Sequence, residues 1–246
     1  MNSRNDETAD ELRAHGLRII QSLDGYRFSL DPLLLCDFAG VGSAGRIIDL
    51  GTGCGVIPLI LAGRFSDASL VGVEFQEGMA GLAARNVALN GFQDRIEVVR
   101  DDILSLGKRF PVSSFDLVTA NPPYRKPGSG RISPKAGRDL ARHESTAGLA
   151  DFLAIAKYLV KPAGRICFIS HPSRLAEFIH CACELKLSLP RLRMVHGTAS
   201  TAATMFLAQL AKGRKADTLV EPPLFVHKEQ GGYTDEVERI LGTREM

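Results

Sequence analysis

Arg46-Ile47-Ile48-Asp49-Leu50-Gly51-Thr52-Gly53-Cys54-Gly55 is the stretch that decides the fold. An apolar strand-like run ends in glycines at alternate positions, and Val56–Arg64 then reads as a helix. Glycines there let the backbone bend tightly and approach a ligand without Cβ clashes. The helix that follows points its first N–H groups at the same place and favours an electron-rich ligand group. The spacing is G-x-G-x-G, not the G-x-G-x-x-G of dinucleotide binders. Glu74 ends the next predicted strand, where a carboxylate can accept hydrogen bonds from both hydroxyls of a ribose.

Outward from that loop, strands and helices alternate as far as about Gly213. Ser69–Glu74, Arg95–Arg100, Phe115–Ala120 and Arg165–Ser170 read as strands, with two more at about 190–196 and 203–211. Met79–Asn90 (closed by Gly91), Leu149–Val160 (ended by Pro162 and Gly164) and Ser173–Leu187 read as helices. This pattern predicts an α/β fold, a doubly wound, mostly parallel seven-stranded sheet with the last strand antiparallel. Ligands of such sheets sit beyond the carboxyl ends of the strands. One domain is expected over residues 1–246: an N-terminal hairpin and helix (1–44), a catalytic core (45–213) and a C-terminal tail (214–246). The hairpin is predicted within Leu17–Asp31, turning at Asp24-Gly25. Arg125–Ser145, rich in Gly, Pro, Ser and Arg, reads as a long functional loop. The tail contains Pro222-Pro223 and a short helix at Asp235–Leu241.

Composition narrows the class. Of 246 residues, 45% are hydrophobic and 24% charged, which suits a folded globular chain. No long uncharged apolar run is present, so no membrane partner is expected. The polar start Met1–Glu7 lacks the apolar stretch of a signal peptide, and five cysteines without a C-x-x-C pair suit a reduced, cytoplasmic protein. The net charge of +2 conceals a division: −5 over residues 1–120, +11 over 121–215 and −4 over 216–246. The middle block is a candidate footprint for a polyanion. His180-Cys181-Ala182-Cys183 lies in a helical pattern where positions 181 and 183 do not share a face; it reads as apolar packing, and no metal is expected. Cys54 reads as a small filler within the glycine loop.

The glycine loop, with Asp49 before it and Glu74 after it, resembles the S-adenosylmethionine loop of class I methyltransferases, a Rossmann-like fold. The resemblance implies S-adenosyl-L-methionine as cofactor, held by Asp49, Gly51, Gly53, Gly55 and Glu74. It also implies an acidic residue at the end of the third strand facing the cofactor adenine. Asp101 and its neighbour Asp102 stand there; they point in different directions, and Asp101 is favoured.

The fourth strand ends in Asn121-Pro122-Pro123-Tyr124. The prolines stiffen the backbone and present carbonyl oxygens. The Asn121 side-chain oxygen and the Pro122 carbonyl can accept both N–H bonds of one planar amino group, while Tyr124 offers a face for stacking. Such a set suits methylation of an amide-like or aromatic amine, whose delocalised lone pair must be turned out of the ring plane. The motif resembles the N-P-P-Y of amino-group methyltransferases acting on adenine, guanine or glutamine amides. Leu17-Arg18-Ile19-Ile20-Gln21-Ser22, Gly25–Asp31 with Leu33-Leu34-Leu35, Ala141-Arg142-His143-Glu144, Pro222-Pro223-Leu224 and Tyr233-Thr234 extend the likeness over nearly the whole chain. They resemble the bacterial tRNA(Val) adenine-N6 methyltransferase family. This implies tRNA as partner, an adenosine next to the anticodon as target, and Phe28 with Asp31 closing over the cofactor. Arg125, Lys126, Arg131, Lys135, Arg138 and Arg142 stand against one acid, Asp139, where phosphates flanking a flipped-out base would lie. Protein-glutamine N5 methylation of release factors and guanine-N2 methylation of ribosomal RNA are the alternatives.

Overall fold

The computed structural model describes residues 7–23, 29–122, 147–213 and 215–243. The expected turn at Asp24-Gly25, Phe28, Pro123, Tyr124, the six basic residues between Arg125 and Arg142, and His143 with Glu144 lie outside the described residues.

In chain order the elements are β1 (Glu7–Leu12), β2 (Leu17–Ser22), α1 (Asp31–Ala39), β3 (Arg46–Leu50), α2 (Val56–Arg64), β4 (Ser69–Glu74), α3 (Glu77–Leu89), β5 (Ile96–Arg100), β6 (Phe115–Ala120), α4 (Leu149–Leu159), β7 (Val160–Ser170), α5 (Leu175–Glu184), β8 (Leu187–His196), β9 (Ala203–Lys212), β10 (Leu219–Val220), β11 (Leu224–Phe225) and α6 (Asp235–Leu241). The main sheet runs β10-β8-β9-β7-β6-β3-β4-β5, with β11 also paired to β8. The sheet has nine strands where the sequence predicts seven; the two beyond the prediction, β10 and β11, are two-residue strands from the tail. β9 is antiparallel to β7 and β8; the other pairings in this sheet are parallel.

The strands are apolar on both faces because helices cover both. Ile47, Leu70, Ile96 and Leu117 enter one core with α1, α2 and α6. Their neighbours Ile48, Val71 and Val118 enter the other, with α4 and α5. The two-residue period of a strand produces this split, and burial on both faces explains why these runs are continuously apolar.

The structure adds to or departs from the sequence reading at the hairpin, β7, α5 and the tail. A hairpin not read from the sequence lies upstream of the expected one: β2 pairs antiparallel with β1, from Glu7 opposite Ser22 to Leu12 opposite Leu17, and the chain turns through Arg13–Gly16. Gly16 (φ +62°) supplies the left-handed residue of that turn, and the acidic run Glu7–Leu12 gave no apolar alternation to announce a strand. β7 begins at Val160, directly after α4. Its register shifts opposite Phe115 and Leu117, so Pro162 falls within the irregularity. A Cβ on Gly164 would come within 2.8 Å of the Asp116 carbonyl, so glycine is what lets β7 approach β6 there. α5 starts at Leu175, after a 3-10 turn at Pro172–Arg174, and buries Phe178 and Ala182. That face leaves Cys181 half-buried and His180 and Cys183 exposed, not buried as expected. The tail is strapped to the sheet. Arg191 meets Glu221 at 2.6 Å, Arg193 grips Glu236 through two bonds of 2.7 and 2.9 Å, and Val237 and Ile240 of α6 are buried.

Phe178 is fully buried against Phe168 and Phe206, edge-on, with ring centroids 5.6 and 5.3 Å away. Phe178→Ala leaves a cavity between α5 and the sheet and is expected to cost about 3–5 kcal/mol. Urea unfolding monitored by circular dichroism checks this; a loss below about 1 kcal/mol would mean that α5 closes the gap or contributes little.

Candidate active site

The chain travels outward through β3, β4 and β5, then returns to place β6 on the other side of β3. The carboxyl ends of β3 and β6 therefore flank a reversal point, where a parallel sheet opens a crevice. The glycine loop leaves one side of it and Asn121-Pro122 the other.

The loop is built from backbone hydrogen bonds. The N–H groups of Gly51 and Thr52 both donate to the Val73 carbonyl, at 2.9 and 2.8 Å, which folds the loop over β4. Glu74, at the end of β4, accepts the Gly53 N–H on Oε2 and the Gln76 N–H on Oε1, each at 2.9 Å. One carboxylate thus ties the loop to the start of α3. Gly55 has φ +86°, and a Cβ there would stand 3.2 Å from that of Ala83. The position requires glycine both for its backbone angle and for the close approach of α3. Burial pushes the Cys54 thiol up to about 11, which keeps it protonated and suits the filler expected from sequence.

Asp49 lies directly opposite Thr119 on β6. The Thr119 hydroxyl donates to Asp49 Oδ1 at 2.7 Å. Asp49 Oδ2 is buried without a hydrogen-bond partner. Burial is the main reason that the carboxyl titrates near 6 instead of near 3.8, and the Glu74 charge pushes the same way; the hydroxyls of Thr119 and Thr52 pull against them. The Thr52 hydroxyl does this at a geometry short of a full hydrogen bond. Thr119 escaped the sequence reading, since a lone threonine in an apolar strand carries no periodic signal. Its placement two residues before Asn121 was the available clue.

Asp101 and Asp102 follow β5. Asp102 Oδ1 accepts the Leu104 N–H at 3.0 Å and caps the 3-10 helix Ile103–Lys108. Asp101 donates its N–H to the Glu74 carbonyl at 3.1 Å, and its Oδ1 takes the Ser105 hydroxyl and the Asp102 N–H. The cap assigned to Asp102 leaves Asp101 as the acid joined to the Glu74 end of the crevice. Ala120, the last residue of β6, pairs with Leu50 on one side and Phe168 on the other. Asn121 is thus the next residue out beside Gly51; it is half-buried and Pro122 is buried. Among the described residues no His/Cys/Asp/Glu group could hold a metal ion. Two clefts, of about 230 and 110 Å³, lie around Asp37 and Arg64 and contain none of the predicted site residues.

The buried charge has a testable consequence. Because the folded state lifts the Asp49 pKa to about 6, the stability of its neutral form is complete below about pH 4 and is lost as pH rises through 6. Asp49→Asn keeps the shape without the charge. It is expected to be more stable than the parent at pH 7.5, by up to about 3 kcal/mol, with the gain fading toward pH 4. Urea midpoints at both pH values check this, and an equal difference at both would contradict it.

Comparison with known proteins agrees with this geometry. The family model described as methyltransferase small domain matches residues 32–169. The tRNA1(Val) (adenine(37)-N6)-methyltransferase of Porphyromonas gingivalis is 34% identical over 225 residues, covering 87% of this chain and 86% of that protein. Its namesake from Aeromonas salmonicida is 30% identical over 207 residues, covering 83% and 84%. Among solved structures, a predicted O-methyltransferase from Agrobacterium tumefaciens shares the fold with a TM-score of 0.70 at 24% identity, covering 87% of this chain and 96% of that one. TYW2 of P. horikoshii, solved in complex with MeSAdo, does so with a TM-score of 0.57 at 14% identity, covering 85% and 72%. Alignment along almost the full length of such relatives, around a loop and strand end of this geometry, places the chain in the methyltransferase small domain family and, within it, among the tRNA1(Val) (adenine(37)-N6)-methyltransferases.

Proposed function

We propose that this protein transfers the methyl group of S-adenosylmethionine to the N6 amino group of an adenosine in tRNA, at position 37 of a valine tRNA as in the relatives' names. The observation that carries the chemistry is the placement of Asn121-Pro122 one residue beyond β6, beside the glycine loop beyond β3. The glutamine and guanine alternatives share the tetrapeptide. The relatives' adenine-N6 name, spanning 83–87% of this chain, favours adenine.

The residues present fit the cofactor. Asp49 offers a buried, unpartnered carboxylate oxygen, and Glu74 offers both oxygens at the mouth of the loop. Asp49, Gly51, Gly53, Gly55, Glu74 and Asp101 would hold it, with Phe28 covering it. Bound there, it supplies an electrophilic methyl group on a sulfonium. The work of this chain is positional and electrostatic. The Asn121 side-chain oxygen and the Pro122 carbonyl accept the two amino N–H bonds and hold them so that the nitrogen lone pair faces the methyl group. The same two oxygens stabilise the positive charge that develops on that nitrogen. The proton is lost afterwards to solvent, so no general base is needed. Tyr124 stacks on the extracted adenine, and Arg125, Lys126, Arg131, Lys135, Arg138 and Arg142 meet the flanking phosphates.

Transfer from labelled S-adenosylmethionine to tRNA from cells lacking this protein, followed by nucleoside mass analysis, tests the reading. Label is expected in N6-methyladenosine. Asn121→Ala is expected to lower the rate by about 10²–10³ while cofactor affinity stays within twofold. An undiminished rate would overturn the mechanism. tRNA affinity is expected to fall with salt at a log–log slope of up to about −4 if all six basic side chains neutralise phosphates. A flat dependence would reduce them to a solvated face.

A further inference from the structure

α3 and its C-cap residue carry a stripe of Met79, Ala83, Asn86 and Asn90 at helical spacing, and each member meets something outside the helix. A Cβ on Gly53 would stand 3.7 Å from Met79 Cε, and one on Gly55 3.2 Å from the Ala83 Cβ. Asn86 has no solvent exposure. Its Oδ1 accepts the Ile20 N–H at 2.7 Å, and its Nδ2 donates to the Ile20 carbonyl at 3.0 Å and the Cys54 carbonyl at 2.9 Å. Asn90 repeats the two strand-facing bonds of this pattern on Arg18, accepting its N–H at 2.9 Å and donating to its carbonyl at 2.7 Å.

The geometry is that of a ladder built from side chains. Four helical residues rise about 6 Å, and two strand residues advance about 6.6 Å. Asparagines four apart on α3 therefore match backbone groups two apart on β2. They satisfy the edge of β2 that does not face β1, as a neighbouring strand would. Arg85 adds a two-bond ion pair to Glu7 of β1, at 2.5 and 2.7 Å. The two asparagines differ in one respect. Asn90 holds the hairpin and the helix end only. Asn86 also holds the carbonyl of Cys54, between Gly53 and Gly55.

We infer that Asn86 is a positioning residue that makes the N-terminal hairpin part of the cofactor site: the amide that docks β2 also fixes the peptide orientation of the glycine loop. This rests on the cofactor reading above. Without the Cys54 bond the loop would gain freedom just where three glycines already give it little intrinsic order. Without the Ile20 bonds the amide would lose the anchor that aims it. Coupling of this kind is reciprocal, so cofactor binding must also tighten the hairpin.

The test uses S-adenosylhomocysteine as probe. In the unmodified protein, amide hydrogen exchange is followed with and without saturating probe. The Ile20 N–H, bonded to Asn86, is expected to slow about tenfold, and the Arg18 N–H, bonded to Asn90, to slow less. By titration calorimetry, Asn86→Ala is expected to weaken probe binding at least tenfold, and Asn90→Ala to leave it within twofold although both loosen the hairpin. Equal protection of the two amides, or a folded Asn86→Ala protein that binds like the parent, would overturn the inference. If Asn86→Ala fails to fold, the exchange experiment alone decides. Failure of the unmodified protein to bind the probe would instead overturn the cofactor reading.

Discussion

The hydrogen bond from Thr119 to Asp49 joins the two strands between which the chain reverses its course across the sheet. Strands travelling outward from β3 and a return to its other side leave the carboxyl ends of β3 and β6 as neighbours. The glycine loop starts from one of these ends and Asn121 from the other. The parallel pairing of β3 with β6 sets their register, and the Asp49–Thr119 bond spans that pairing from inside the sheet. If that pairing were displaced by a residue, the loop and Asn121 would face different spaces.

That bond leaves one oxygen of Asp49 unpartnered in a buried place, a charge arrangement that a purely structural carboxylate would avoid. Glu74, by contrast, has both oxygens engaged by backbone N–H groups. The two acids thus play different physical parts. Glu74 shapes the loop and can still accept further hydrogen bonds, because each carboxylate oxygen has more than one lone pair. Asp49 holds an acceptor in reserve at a cost to stability. An arrangement of this kind, offset by the two apolar cores, is what makes Asp49 a candidate binding residue.

Around this centre the ends of the chain act as struts. The N-terminal hairpin leans on α3 through Asn86 and Asn90, and the C-terminal segment is held to β8 by Arg191 and Arg193. Both regions looked peripheral in sequence, because their attachment depends on polar side chains meeting backbone or charge far along the chain. Asn86 and Ile20 are 66 residues apart and Arg193 and Glu236 are 43 apart. No local periodicity records such pairings.

The sequence by itself determined the order and type of the core elements. β3, β4, β6, α2 and α6 fall where alternation, apolar runs and glycine punctuation put them, because those signals arise from short-range backbone preferences and from burial on both faces. It also carries the proposed chemistry, since G-x-G-x-G and Asn121-Pro122 are patterns of adjacent residues. Tertiary structure decided what depends on distant partners. It set the hairpin at Arg13–Gly16 and ran β7 through Pro162 and Gly164. It gave the helix cap to Asp102 in preference to Asp101, and it brought Thr119 to Asp49 and Asn86 to the Cys54 carbonyl of the glycine loop. Each of these outcomes is fixed by a hydrogen bond, turn or close approach that exists only once the sheet is assembled. A one-dimensional pattern carries the propensity of a residue but not the group it will meet.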